Sequence, residues 1–130
     1  MMIHITALYA GISGLFIIYM AKRVTDVRQK IKCGLGDNGD KAMQVAIRAH
    51  ANALEYIPIA LILIAFAEMN GWSAIWIHSL GGALIASRFS HAYGFTQSVG
   101  GASFFRFWGT AFSWLTIIVA SVINIISYFS

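Results

Sequence analysis

The stretch Arg48-Ala49-His50-Ala51-Asn52-Ala53-Leu54-Glu55-Tyr56-Ile57-Pro58 carries an arginine, an amide and a carboxylate straight into an apolar run of membrane length. At about 100° per residue, Arg48, Asn52 and Glu55 stand at i, i+4 and i+7 of a helix, within an arc of about 60°, and so share one face. A charged side chain at the centre of a membrane helix costs about 2.5–3.5 kcal/mol on insertion scales. Polar residues on one face at the membrane edge therefore need partners, and they mark a candidate site. His50 points about 160° away from Asn52 and reads as a packing residue. Pro58, inside the same helix, removes a backbone donor, and a kink there would widen the space beside Asn52 and Glu55. Packing geometry alone accounts for Pro58 equally well.

Composition sets the class around this stretch. The 130 residues suffice for one domain. They are 58% hydrophobic and only 11% charged, against about 25% charged in soluble domains, and the mean hydropathy is +0.71. A soluble chain this short cannot hide so much apolar surface, so an integral membrane protein is expected. The net charge of +4 is not a nucleic-acid signal, because seven of the nine Lys and Arg residues fall between Lys22 and Arg48, beside one apolar span. That is the pattern of a cytoplasmic loop. Cys33 is the single cysteine, which excludes an intrachain disulfide, and no CxxC or Cys/His cluster surrounds it to suggest zinc. The first apolar run lacks a preceding basic region and is followed by Lys22 and Arg23, as after a retained anchor rather than a cleaved signal.

Outward from the central stretch, the chain reads as four membrane helices, at about residues 3–31, 41–68, 73–94 and 103–128. Ala10, Gly11 and Gly14 in the first suit close helix packing. Gly34-Leu35-Gly36-Asp37-Asn38-Gly39-Asp40 is the clearest loop, with Asp40 or Asn38 as the cap of the second helix. It is no phosphate loop, since no Gly-Lys-Ser/Thr follows. Glu68 ends the second helix and reads as solvated. Trp72 and Trp76 fit an interfacial belt at the next turn, and Trp108 and Trp114 fit lipid contact or helix packing. Arg88 and Arg106 flank the last loop, while the middle turn carries almost no charge. The expected fold is all-α, an integral membrane four-helix bundle with both termini outside and the first and third loops cytoplasmic.

Polar residues then gather at one level. Arg48, Asn52, Glu55 and Tyr56 lie near the basic end of the second helix, Arg88 and His91 near that of the third, Arg106 near that of the fourth, and Arg23 or Arg28 adds a charge from the first. Arginines bind carboxylates bidentately, a glutamate holds an ammonium, and an asparagine both donates and accepts. Such a set suits a zwitterionic, multiply carboxylated small molecule. Each member also has a structural role available: Arg48 and Glu55 can pair with each other, Asn52 can staple helices, and His91 can be a hydrogen-bonded core histidine. No His/Glu spacing resembles a metal site, and no strand–turn–helix elbow supports a serine triad.

Arg48-Ala49-His50-x-Asn52-x-x-Glu55-Tyr56-x-Pro58 resembles the second-helix signature of the MAPEG family, the membrane-associated proteins of eicosanoid and glutathione metabolism. The loop from Gly34 to Asp40 looks like the bacterial branch, which implies a bacterial inner membrane. The resemblance implies a homotrimer of four-helix subunits with glutathione as co-substrate, held between subunits near the cytoplasmic side. It also implies an apolar, lipid-like second substrate arriving through the membrane lipid, and no metal. By motif, Arg48, Asn52, Glu55 and Tyr56 are similar to the family's glutathione-binding residues. Arg88 and His91 resemble its Arg-x-x-His/Tyr pair, Arg28 the basic end of its first helix, and Arg106 the arginine that lies by the glutathione sulfur in several members. Arg106 is thus the implied catalytic residue, in a transferase or peroxidase. Two departures stand out. Phe95 occupies the place, one turn after His91, where several catalytic members have a tyrosine. Ala51 replaces a basic residue of prostaglandin E synthase and argues against that specificity. A non-catalytic glutathione- or lipid-binding protein, or a small structural or transport protein, are the alternatives.

Overall fold

The computed structural model describes residues 3–130. They form four helices, α1 (His4–Ile31), α2 (Lys41–Met69), α3 (Ala74–Gln97) and α4 (Phe104–Phe129), with no strand among the described residues. This is the all-α membrane bundle expected from the sequence. Three of the helices, α1, α2 and α4, are long and apolar enough to cross a membrane. The fourth, α3, is long enough at about 1.5 Å per residue, but Ser87, Arg88 and His91 dilute its hydropathy. Those three residues are buried, so the outer surface of α3 is mostly apolar, with Ile75, Trp76, Phe89 and Tyr93 exposed and His78 and Ser79 as polar exceptions in its first turns.

Local chemistry sets the helix ends. Asp40 accepts a hydrogen bond from the Met43 amide at 2.8 Å and caps α2. Helix α2 then continues through Pro58, which is exposed, to Met69. Lys32, in the left-handed region, ends α1 and sends its amide back to Gln29. The loop between α3 and α4 turns at Val99 (φ 51°) and Gly100 (φ 82°).

Packing places α2 and α3 at the centre, each in contact with the other three helices. Among the described residues α1 and α4 do not touch, and lie on different sides of the α2/α3 pair. The buried stripe of α2 is mostly alanine, with Ala46, Ala49, Ala53, Ala60 and Ala67 at spacings of three, four and seven residues. The buried stripe of α4 is equally small, with Gly109, Ser113, Thr116 and Ala120. Small residues let helix backbones approach closely in a membrane protein, where dispersion and hydrogen bonds replace the hydrophobic drive between helices. The closest approach is between α3 and α4. A Cβ at Gly109 would meet the backbone of His91 and stand 2.7 Å from the Ser87 carbonyl oxygen, and a Cβ at Gly94 would stand 2.8 Å from the Ser103 hydroxyl. Beside Gly109, the Ser87 and Ser113 hydroxyls share a buried hydrogen bond of 2.8 Å.

Two expectations change. Gly11 and Gly14 do not mediate packing within the chain: nothing lies within 4 Å of a Cβ built at either, and Ala10 is exposed. The larger side chains of Phe16 and Met20, with Thr6 and Ser13, form the buried face of α1 instead, because they remove more apolar surface. Glu68 is not simply solvated. Its carboxylate accepts from the Ile5 amide (2.9 Å), the Thr6 amide (2.8 Å) and the Thr6 hydroxyl (2.6 Å). The first turn of α1 has free amides and no side-chain cap of its own, and a carboxylate from the far end of α2 satisfies both the donors and the helix dipole.

Candidate functional site

The site is built around Arg88. It lies on the buried face of α3 and is 2% exposed. Its Nη1 donates to the Asn52 side-chain oxygen on α2 at 2.6 Å, and its Nη2 donates to the Gly109 carbonyl oxygen on α4 at 3.1 Å. The guanidinium carbon stands 5.1 Å from the centre of the Tyr56 ring, a cation–π distance. One side chain thus ties three helices together. The Nε of Arg88 is buried without a protein partner, and no carboxylate pairs with Arg88 among the described residues.

Tyr56 extends the cluster toward α4, where its hydroxyl accepts from the Trp114 indole at 3.2 Å. One helical turn from Arg88, His91 is buried and stacks on Phe95 at 5.8 Å and 14°. Phe95 also meets Arg106, whose guanidinium carbon lies 4.7 Å from the ring centre. The Arg106 Nη1 donates to the Gly100 and Gly101 carbonyl oxygens at 2.7 and 2.8 Å. Arg106 is therefore posed by an aromatic face and by the third loop. It also lines an open groove of ≈760 Å³ along α4, walled by Phe104, Phe107, Ala111 and Trp114.

Arg48 and Glu55 pair with each other at 3.5 Å, both exposed, on the outer side of α2. The shared helical face read from the sequence thus splits. Asn52 turns inward to Arg88, while Arg48 and Glu55 face outward from the bundle. Arg28 does not join the cluster: its Nη1 donates to the Gly36 and Cys33 carbonyl oxygens and secures the first loop. Arg23 donates instead to Thr96 on α3 at 3.0 Å.

Three participants were missed from the sequence. Gly109 supplies a carbonyl to Arg88, Trp114 a donor to Tyr56, and Gly94 the close approach that seats Arg106. The two glycines carried a usable signal, since glycine in a helix interior costs stability and marks a close approach. Trp114 carried none, because an interior tryptophan and a lipid-facing one look alike in sequence. Among the described residues no group of His, Cys, Asp and Glu is placed to hold a metal.

A bundle of apolar helices with a buried, carboxylate-free arginine among them defines a multi-pass membrane protein with a charged polar cluster between its helices. The chain belongs to the MAPEG family, whose family model matches residues 6–126. It is similar to Inner membrane protein YecN of Escherichia coli K12, with 43% identity over 91 residues that cover 70% of each chain. The protein of the same name from Escherichia coli O6:H1 matches to the same extent.

Proposed function

We propose that this protein is a glutathione-dependent membrane transferase or peroxidase acting on apolar electrophiles or lipid hydroperoxides. The observation that carries the reading is Arg88, a fixed positive charge 2% exposed, without a counter-ion among the described residues, and with a buried nitrogen unsatisfied. Such a charge is expensive inside a membrane bundle, and an anionic ligand offsets the cost. Glutathione offers its two carboxylates for Arg88 and Arg48, an ammonium for Glu55, and amides for Asn52, with Tyr56 and His91 completing the wall.

The exposed Arg48–Glu55 pair supports a homotrimer, since charged groups on an outer membrane face call for cover by a neighbouring copy. The basic residues around the first and third loops support a cytoplasmic position for both, with the termini outside. The name of the Escherichia coli relative supports an inner-membrane location.

Arg106 is the catalytic residue in this reading. A nearby cation lowers a thiol pKa and favours the thiolate. In a substrate lying in the apolar groove that Arg106 lines, the thiolate then attacks an electrophilic carbon, whose leaving group departs with its bonding pair, or the terminal oxygen of a hydroperoxide. In the second case the O–O bond breaks, the alkoxide takes up a proton, and the glutathione sulfenic acid is reduced to the disulfide by a second glutathione. Holding both reactants together supplies much of the rate. Phe95 favours a second reading, glutathione or lipid binding without turnover, because no tyrosine hydroxyl stands there.

Calorimetric titration of glutathione into the purified protein tests both, with Arg48→Ala and Glu55→Ala as controls. Binding that weakens in both variants is expected. No binding at millimolar glutathione overturns the two glutathione-linked readings. If glutathione binds, conjugation of a generic apolar electrophile separates enzyme from binder.

A further inference from the structure

Between them α1 and α3 enclose a second groove, of ≈560 Å³, that shares no residue with the site above. Its walls are aromatic. Phe16 and Phe89 touch across it at 4.5 Å, and Tyr19 and Tyr93 stand exposed along its rim. At its basic end sits Arg23, held by Thr96 at 3.0 Å. The carboxylate next to it on α1, Asp26, is already paired to Lys22 at 2.7 Å, and Arg23 pairs with no carboxylate among the described residues. The groove therefore joins an apolar channel to an unneutralised, positioned guanidinium.

Its length adds a second observation. A smaller cavity of ≈250 Å³ shares Phe16, Tyr19 and Phe89 with this groove and extends it along α1 to Ile12. From Ile12 to Arg23 the helix rises about 16 Å, which is roughly half of a hydrocarbon core about 30 Å thick. From its basic end the groove is therefore about as long as one leaflet is deep.

We propose that this groove binds an anionic phospholipid of the leaflet at the basic end, with one acyl chain along Phe16 and Phe89 and the phosphate on Arg23. Arg23 is pre-posed by Thr96, so little side-chain freedom is lost when the phosphate binds. The general attraction of basic residues to anionic head groups does not distinguish Arg23 from Lys22; the groove does.

Native mass spectrometry of the full chain, released from micelles with equal phosphatidylglycerol and phosphatidylethanolamine, tests this. Several-fold preferential retention of phosphatidylglycerol is expected, falling to near parity in Arg23→Gln and persisting in Lys22→Gln and Arg23→Lys. Parity in the unsubstituted chain, a preference surviving Arg23→Gln, or equal loss in Lys22→Gln overturns the proposal. A measurement without substitutions stands beside it: phosphatidylglycerol with a photoreactive acyl chain should concentrate adducts on α1 and α3 between Phe16 and Tyr93. Adducts spread equally over the exposed aromatic face of α4 overturn it as well.

Discussion

Arg88 on α3 and Asn52 on α2 are joined by a hydrogen bond of 2.6 Å, donated by the guanidinium to the amide oxygen inside the bundle. Among the described residues it is the one hydrogen bond between the two helices, and it carries a charge. Interhelical hydrogen bonds in membrane proteins average only about 0.6 kcal/mol, whereas losing a buried bond to a charged group costs about 1.5–3 kcal/mol. The charge decides between these figures. Asn52→Leu is expected to destabilise the protein by about 2 kcal/mol, read from chemical unfolding in detergent. A loss no larger than that of an average interhelical bond would show that water or lipid head groups already serve Arg88.

Gly109 and Gly14 should respond oppositely to alanine. At Gly109 the new methyl meets backbone of His91 and Ser87, which cannot move aside cheaply, so Gly109→Ala should cost about 1–3 kcal/mol. It should also weaken glutathione binding, because the Gly109 carbonyl oxygen holds Arg88. At Gly14 nothing lies within 4 Å, and Gly14→Ala should stabilise the subunit by about 0.5–1 kcal/mol through helix propensity. Thermal unfolding of the two variants side by side checks both. A Gly14→Ala variant that loses mass by light scattering would instead place that face of α1 against another copy.

Glu68→Ala removes the acceptor for three donors at the start of α1. Caps of this kind are worth about 0.5–2 kcal/mol. Amide exchange at Ile5 and Thr6 should accelerate together, with little change in the middle of α1. Unchanged exchange at those two amides would count against the clamp.

Arg106→Gln should lower turnover much more than glutathione affinity, since the proposed role is thiolate stabilisation. Equal losses in both would remove Arg106 from the chemistry. Phe95→Leu should act in the same direction but more weakly, by freeing Arg106 from its aromatic face, a contact worth about 0.5–2 kcal/mol. Steady-state kinetics with calorimetry on the same preparations separates the two effects.

Val99 has φ 51°, which a β-branched residue adopts only with strain. Left-handed geometry costs a non-glycine residue about 1–2 kcal/mol. Val99→Gly should relieve much of this and raise the unfolding temperature, although glycine's larger unfolded-state entropy returns part of the gain. A lowered unfolding temperature would show that the Val99 side chain makes compensating contacts.

Much of this was legible in the sequence because membranes impose strict rules. Long apolar runs, clustered Lys and Arg, and glycine-rich breaks identified four helices and their connections. Helical periodicity put Arg48, Asn52 and Glu55 on one face, and the Asp40 cap followed from position. Periodicity could not tell which part of that arc faces inward, so the separation of Asn52 from the Arg48–Glu55 pair emerged only with α3 in place. Partners distant in the chain were equally out of reach. Nothing local links Glu68 to Thr6, Arg23 to Thr96, or Arg88 to the carbonyl of Gly109. The small residues of α1 misled for a related reason: small size permits close packing, but it does not say against what.

The bond from Glu68 back to Ile5 and Thr6 also bears on how the chain is assembled. It joins residues 63 and 62 apart and closes the α1–α2 hairpin at the end opposite its loop. Every group it needs has been synthesised once the second helix is complete. The first two helices can therefore lock together in the bilayer before α3 and α4 emerge. The waiting hairpin then presents Ala60, Ile64 and Ala67 of α2, the part of its buried stripe that packs against α3 and α4, to the two helices still to come.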